Sequence, residues 1–397
     1  MTKRVLFLIS DTGGGHRAGA QAIGAALDEI DGSTRFEWRI DDIATHCTFP
    51  LSKLGPAYSA ALRYAPPIYG ALYHATNGRR RYRTLVRFCE PLYRERLREV
   101  FQQYQPDAIV SVHPLLNHAA LRARADAGMT DVPIVTVVTD LGRVHEGWLL
   151  PEADLTVVPA PEVYNRAIER GVPPERLKLI GHPIHPRFED VSATKAEVRK
   201  KLGLPIDATV ALLMAGGEGG GKLLPTTLGL AKAGLDFHLV VVTGRNAALK
   251  QKLEELAPTL PTPMTVLGFR NDVPELMRAA DLLVTKAGPG TIAEASVAEV
   301  PVVVYDYVPG QERGNLDYVR TNGIGVVALT TSQVVSSVAR IVHNQERLAK
   351  MRAQQTAVAP RGSSRKIAEL IGRIAIDGRR IIPAPAPATT KTAAAVV

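Results

Sequence analysis

Runs of consecutive Val, Ile and Leu recur from one end of the chain to the other, and this alternation with helical patterns limits the fold most. The first half carries VLFLIS at the N-terminus, DAIVSV at 107–112, PIVTVVT at 133–139, LTVVPA at 155–160 and LKLIGH at 177–182. The second carries TVALLMAGG at 209–217, FHLVVVTG at 237–244, MTVLGF at 264–269, LLVTKAG at 282–288 and PVVVYDY at 301–307. Unbroken apolar runs suit parallel strands covered on both faces, and their alternation with helices predicts an α/β chain of two doubly wound units. At 397 residues the chain exceeds a single core. The polar stretch PRFEDVSATKAEVRKKLGLP places the division between 1–185 and 186–360. A helical segment is expected over 361–382, and the Pro/Ala/Thr-rich end, 383–397, cannot build a core and is expected to be disordered. Residues 45–105 hold aromatics, prolines and arginines without the strand–helix rhythm and read as an insertion in the first domain.

Hydrophobic residues make up 46% and charged residues 22%, the balance of a soluble globular protein, and no apolar run is long enough for a membrane-spanning helix. VLFLIS stops at Asp11 and reads as a buried strand rather than a leader. Cys47 and Cys89 give neither a disulfide framework nor metal spacing, which fits a reducing cytoplasm. Lys and Arg total 48 against 39 Asp and Glu, a formal charge of +9. Eight arginines lie between Arg79 and Arg98, with only Glu90 and Glu95 among them. They suit a solvated helix face, a nucleic acid or an anionic lipid surface.

The turns carry the chemistry. AGGEGGGK at 215–222 nearly spells a phosphate-binding P-loop, but Leu223 stands where that motif needs a metal-binding hydroxyl. In LLVTKAGPGTIAEA a strand is expected to end at Thr285 and a helix to begin near Thr291, which offers N–H groups and a positive partial charge to a diphosphate. Lys286 adds a full charge, Thr291 a hydroxyl, and Glu294 a carboxylate for ribose hydroxyls. Gln311, Glu312 and Asn315 cluster on the loop of YDYVPGQERGN. In open α/β sheets ligands bind at the carboxyl ends of strands, so these loops converge on a nucleoside, a diphosphate and a hydroxyl-rich group: a nucleotide sugar. At the first glycine-rich turn, DTGGGHRAGAQAI, His16 stands on the rim. An imidazole's ordinary pKa of about 6.5 leaves it largely able to accept a proton near pH 7.

GFRNDVPELMRAADLLVTKAGPGTIAEA and VPVVVYDYVPGQERGN resemble the donor domain of the GT-B glycosyltransferases of family 28, the monogalactosyldiacylglycerol synthase and diacylglycerol glucosyltransferase type. DTGGGHRAGAQAI and GHPIHPRF resemble the same family's first domain, and the likeness covers roughly residues 1–375. It implies inverting transfer of a hexose, galactose favoured over glucose, from a UDP-sugar to diacylglycerol. The backbone at Phe269 and Arg270 would meet the uracil, and Glu294 the ribose. Gly217, Glu218, Lys286, Gly288, Gly290 and Thr291 would surround the diphosphate, while Gln311, Glu312 and Asn315 would face the sugar. His16, on the turn of Gly14 and Gly15, would be the general base, with Asp140 orienting it or taking that role itself. His145 and Trp148, from TDLGRVHEGWL, would line the acceptor side. No Asp-x-Asp magnesium site stands beside these motifs, so no metal and no cofactor is expected. Reaching diacylglycerol implies a peripheral protein on the cytoplasmic face of an anionic membrane. Tyr58, Tyr64, Tyr69 and Tyr73, followed by Arg79, Arg80 and Arg81, supply the aromatic and basic segment expected there. Two other readings stand beside this one: N-acetylglucosaminyl transfer to the lipid-linked peptidoglycan precursor, and an arginine-rich nucleic-acid-binding module. No nucleic acid is expected under the favoured reading, because base stacking wants aromatics on a strand face.

Overall fold

A computed structural model describes residues 2–10, 14–30, 34–47, 51–216 and 221–383. The apolar runs form two sheets, each of six strands and all parallel. The first contains β1 (Lys3–Ile9), β2 (Phe36–Asp42), β3 (Ala108–Ser111), β4 (Ile134–Val137), β5 (Leu155–Val158) and β6 (Leu177–Leu179), in the order β2-β1-β3-β4-β5-β6. The second contains β7 (Val210–Met214), β8 (His238–Val242), β9 (Met264–Leu267), β10 (Leu282–Lys286), β11 (Val302–Asp306) and β12 (Gly325–Val327), in the order β12-β11-β10-β7-β8-β9. In both sheets the winding reverses beside the first strand, between β1 and β3 and between β7 and β10. A crevice opens there at the strands' carboxyl ends.

Helix α1 (Gly15–Glu29) follows β1, and its N-cap Gly14 has φ 79°, a left-handed conformation in which a Cβ would be strained. Three helices lie between β2 and β3: α2 (Leu54–Tyr64), α3 (Pro66–Thr76) and α4 (Arg79–Tyr104). Only the first two behave as an insertion. The second half of α4 presents Tyr93, Leu97, Val100, Phe101 and Tyr104, a helical stripe, to Leu6, Leu8 and Ile109 of the sheet. The expected insertion over 45–105 is therefore shorter, because the end of α4 is a regular covering helix. Ile184 and Phe188, on either side of the expected division, pack in a cluster that also holds Leu141, so the core is shared across the seam there. One further boundary moves. The final helix, Ser363–Asp377, lays Ile367, Ile371 and Ile374 on Val5 and Phe7, and so belongs to the first domain's outer layer. Beyond Pro383 the expected tail lies outside the described residues.

The two domains meet without space for a side chain. A Cβ on Gly142 would fall 2.2 Å from the Gly314 carbonyl oxygen, and one on Gly314 would fall 2.2 Å from Arg143 N. Asn315 closes the same seam: its Oδ1 accepts from Leu141 N–H at 3.2 Å and its Nδ2 donates to Ala287 C=O at 2.9 Å.

Candidate active site

The first domain's crevice gathers imidazoles. His16, in the opening turn of α1, and His113, just after β3, face each other edge to face with ring centroids 4.6 Å apart. His16 Nδ1 lies 3.3 Å from the hydroxyl of Thr139, the residue before Asp140. Asp140 is buried, and its Oδ2 accepts a hydrogen bond from the Trp148 indole N–H at 2.8 Å. Desolvation raises the Asp140 carboxyl to about 6, against the smaller opposing pull of the Trp148 bond. Burial pushes His145 down to about 4, with Arg166 adding to the effect. Its Nδ1 accepts from Gly147 N–H at 3.1 Å, and its Nε2 lies 3.4 Å from the Thr76 hydroxyl. That hydroxyl already donates to helix carbonyls, so Nε2 carries the proton and His145 is a neutral structural link between α3 and the turn.

The Trp148 ring stands 5.9 Å from that of His16, centroid to centroid, but does not line the cavity. It is fully buried among Val138, Val144 and Val158, and its use is to hold Asp140. An indole following a buried carboxylate at this spacing can satisfy one of its oxygens without supplying a charge.

The second domain's crevice forms at β10. The strand ends at Lys286, and Gly288 caps a helix, Pro289–Val297, that begins earlier than expected because proline suits the first helical position. Gly290 and Thr291 lie in the first turn, where N–H groups have no partner within the helix. Glu294 stands on the next turn. Burial raises its carboxyl to about 7, with attraction from Arg187 opposing, although part of the side chain stays accessible. Phe269 is 50% exposed, and the Arg245 guanidinium lies over its ring at 4.6 Å. The Arg270 side chain is tied to Asp272 by a paired hydrogen bond, so only its backbone is available. Gly217 and Glu218 lie outside the described residues. Lys222, the P-loop-like lysine, is 3.7 Å from Asp306 and donates to Leu329 C=O. His182, quoted within GHPIHPRF but given no role from the sequence, lies 3.7 Å from the position of a Cβ on Gly290 and so brings the first domain against the diphosphate turn.

The Gln311 loop joins the two crevices. Tyr58 and Tyr69, from α2 and α3, both donate to Gln311 Oε1, at 3.2 and 2.9 Å. Gly70 presses on Pro309, and Tyr73 on Gly310, each within 2.8 Å of a built Cβ. These three tyrosines are therefore not surface anchors. Helical spacing turns them inward onto the donor loop, and burial raises all three hydroxyls well above their ordinary range. Tyr64, on the opposite side of α2, is 76% exposed as expected. Glu312 is buried and accepts from Val308 N–H at 2.6 Å; burial raises its carboxyl, with Lys286 drawing it back. Asn315, with both ends of its amide used and 1% exposed, is an interdomain strut rather than a sugar contact. Below Asp140 lies a largely apolar cavity of about 490 Å³, with His16, His145, Gln311 and Tyr69 around its head.

Two doubly wound domains facing each other across such a cleft define the GT-B glycosyltransferase class. MurG of Acinetobacter baumannii has the same fold: TM-score 0.60 at 14% identity, over 94% of this chain and 99% of that one. Residues 16–184 match the family Monogalactosyldiacylglycerol (MGDG) synthase, and residues 222–369 the Glycosyltransferase family 28 C-terminal domain. The chain is 36% identical over 346 residues to the chloroplastic monogalactosyldiacylglycerol synthase of Spinacia oleracea, covering 85% of this chain and 66% of that protein. It is 34% identical to monogalactosyldiacylglycerol synthase 3 of Arabidopsis thaliana, covering 88% of this chain and 76% of that protein. The chain belongs to the monogalactosyldiacylglycerol synthase family. It spans 64–66% of the length of the spinach protein and three further plant relatives.

Proposed function

We propose that the protein transfers a hexose, galactose favoured, from a UDP-sugar to the free hydroxyl of diacylglycerol with inversion at the anomeric carbon. The observation that carries this reading is the pairing of opposites across one cleft. A buried carboxylate and an imidazole head an apolar cavity that Gln311 of the second domain also lines. The next residue, Glu312, feels both Asp140 and Lys286, which ends the strand before the donor helix. The lipid hydroxyl loses its proton to Asp140, whose Oδ1 is not the oxygen that Trp148 holds, or to His16 beside it. The lipid oxygen bonds to the anomeric carbon from the cavity side while the bond to UDP breaks on the other, so an α-linked donor gives a β-glycoside. Charge gathering on the leaving diphosphate is met by Lys286 and the first-turn N–H groups at Gly290 and Thr291. Glu294 holds the ribose and Phe269 lies beside the base. No step calls for a metal. The test is a lipid assay: protein, dioleoylglycerol in phosphatidylglycerol micelles and UDP-galactose or UDP-glucose, with EDTA present. A monohexosyl lipid from one donor is expected; UDP binding with no glycolipid from either donor overturns the acceptor.

The protein is proposed to sit on an anionic membrane through α2–α4. Among the described residues no helix is long and apolar enough to cross a membrane. Yet Tyr64, Ile68, Leu72, Phe88 and Leu92, all of this region, are 48–76% exposed. Arg79, Arg80 and Arg81 occupy the first turn of α4, which contains no acid, and there they oppose the helix dipole until an anionic surface relieves them. At roughly 1 kcal/mol per basic residue near a charged leaflet, replacing the three by Ala should weaken binding to phosphatidylglycerol vesicles about 100-fold. Co-sedimentation measures it, and unchanged binding with intact folding would count against the surface.

A further inference from the structure

The proposed reaction uses only the head of the cavity. Below His16, Asp140 and His145 the space continues along one face of α4, where Tyr82, Leu85, Val86, Cys89 and Tyr93 line it in succession. Tyr82 marks the head: its ring is 5.2 Å from that of His145, and its hydroxyl donates to Pro114 C=O at 3.0 Å. Tyr93 marks the far end, buried with Leu97 and Leu116 in the core beneath the sheet. From Tyr82 to Tyr93 the helix advances about 17 Å at 1.5 Å per residue. One leaflet of bilayer hydrocarbon is about 15 Å deep, half the usual ~30 Å core.

Along this depth the wall carries the Glu90 carboxylate, which pairs with Arg122 at 3.0 Å and lies 3.8 Å from Arg94. Apolar walls that lack contact partners gain dispersion energy when an alkyl chain fills the space between them. Leu72 belongs both to the cavity wall and to the exposed apolar face with Ile68, which gives a chain a path from bilayer to interior.

We propose that this cavity takes one acyl chain of the acceptor lipid, methyl end inward, and that Cys89, Tyr93 and Ala119 form a floor that limits the chain length accepted. The proposal rests on diacylglycerol being the acceptor. One chain occupies the cavity, whose volume of about 490 Å³ includes the head, and the second chain stays with the bilayer. Chain length then acts on acceptor selection through the floor, far from the transferring sugar.

Two readouts test it. Diacylglycerol with a diazirine at the end of a sixteen-carbon chain should, on irradiation in phosphatidylglycerol micelles, label the 89–93 segment or Ala119. An eight-carbon version should label nearer Tyr82 to Val86. Labelling only at the Ile68 and Phe88 surface, or none, overturns the assignment, and this readout needs no turnover. Second, Cys89→Trp should lower the ratio of kcat/KM for dioleoylglycerol to that for dioctanoylglycerol at least tenfold. A ratio within the same protein is insensitive to partial loss of folded material, and an unchanged ratio also overturns the floor. Labelled floor residues in a protein that transfers no sugar would discard the hexosyltransferase reading and keep the cavity. Transfer without such labelling would do the reverse.

Discussion

Asp140→Asn should lower kcat by about 10²–10⁴-fold, the usual contribution of a positioned general base, while raising thermal stability at neutral pH. Both effects come from one fact: burial raises the carboxyl to about 6. In the wild type kcat/KM should rise with pH through about 6, as the carboxylate becomes able to take the lipid hydroxyl's proton, and the variant should lose that limb. The stability sign follows from linkage. The folded state binds the proton more tightly than the unfolded chain, whose Asp titrates near 4. Below about pH 4 both states hold the proton and the group costs nothing. As pH rises from about 4 to 6 the unfolded chain releases its proton first and the folded state loses ground, by about 3 kcal/mol above pH 6 for a two-unit shift. Asparagine is neutral, nearly isosteric and still accepts from the Trp148 N–H, so it removes that cost. Melting curves at pH 4 and pH 7.5 should therefore coincide with wild type at the first and exceed it at the second. A variant within tenfold of wild-type kcat would move the base to His16, and His16→Ala measured in parallel would then show the larger loss. Glu294, raised to about 7 by the same desolvation, shows that the donor side also holds a carboxylate at a cost to stability.

What could be read from the chain followed from how each residue is constrained. Strands buried on both faces announce themselves as apolar runs, and all of those quoted lie in one of the two sheets. The strands that escaped notice, β2 and β12, each form one edge of a sheet, the opposite edges being β6 and β9. FEWRIDD alternates polar with apolar because one side meets water, and GVV is too short to stand out. A residue tied to backbone conformation was also legible, the Gly14 turn ahead of His16, whereas the helix after Lys286 starts at Pro289, two residues before the expected Thr291. The tyrosines misled because composition cannot say which way a helix faces. Tyr58, Tyr69 and Tyr73 next to an arginine cluster read as a membrane segment until the helices were placed, and then two of them met Gln311, more than 240 positions away. Trp148 and Asn315 show the same limit. Their polar atoms are consumed by Asp140, Leu141 and Ala287, contacts that only the packed structure brings together. His113 lay outside every motif and His182 stood in GHPIHPRF without a role; only the reversal of winding between β1 and β3 and the domain seam give them neighbours.

Gly142→Ala should cut kcat/KM about 100-fold without touching any residue of either crevice. The added methyl would lie 2.2 Å from the Gly314 carbonyl oxygen and 2.4 Å from its carbon, both backbone atoms that no rotamer change can move away. The strain can be relieved only by parting the domains. A shift of about 1 Å between acceptor oxygen and anomeric carbon is enough for a loss of that order, because the rate depends on the two sites being held at reaction distance. UDP binding, confined to the second domain, should stay within about twofold of wild type by calorimetric titration. Asn315→Ala gives the contrast, since it opens no steric conflict but leaves Leu141 N–H and Ala287 C=O without their partner, a cost of about 1–3 kcal/mol. It should lower the melting temperature more than Gly142→Ala and the rate less. If Gly142→Ala instead turns over like wild type with a normal UDP titration, the close seam is not the geometry in which sugar is transferred. The two halves of the site would then have to meet in a different arrangement of the same domains.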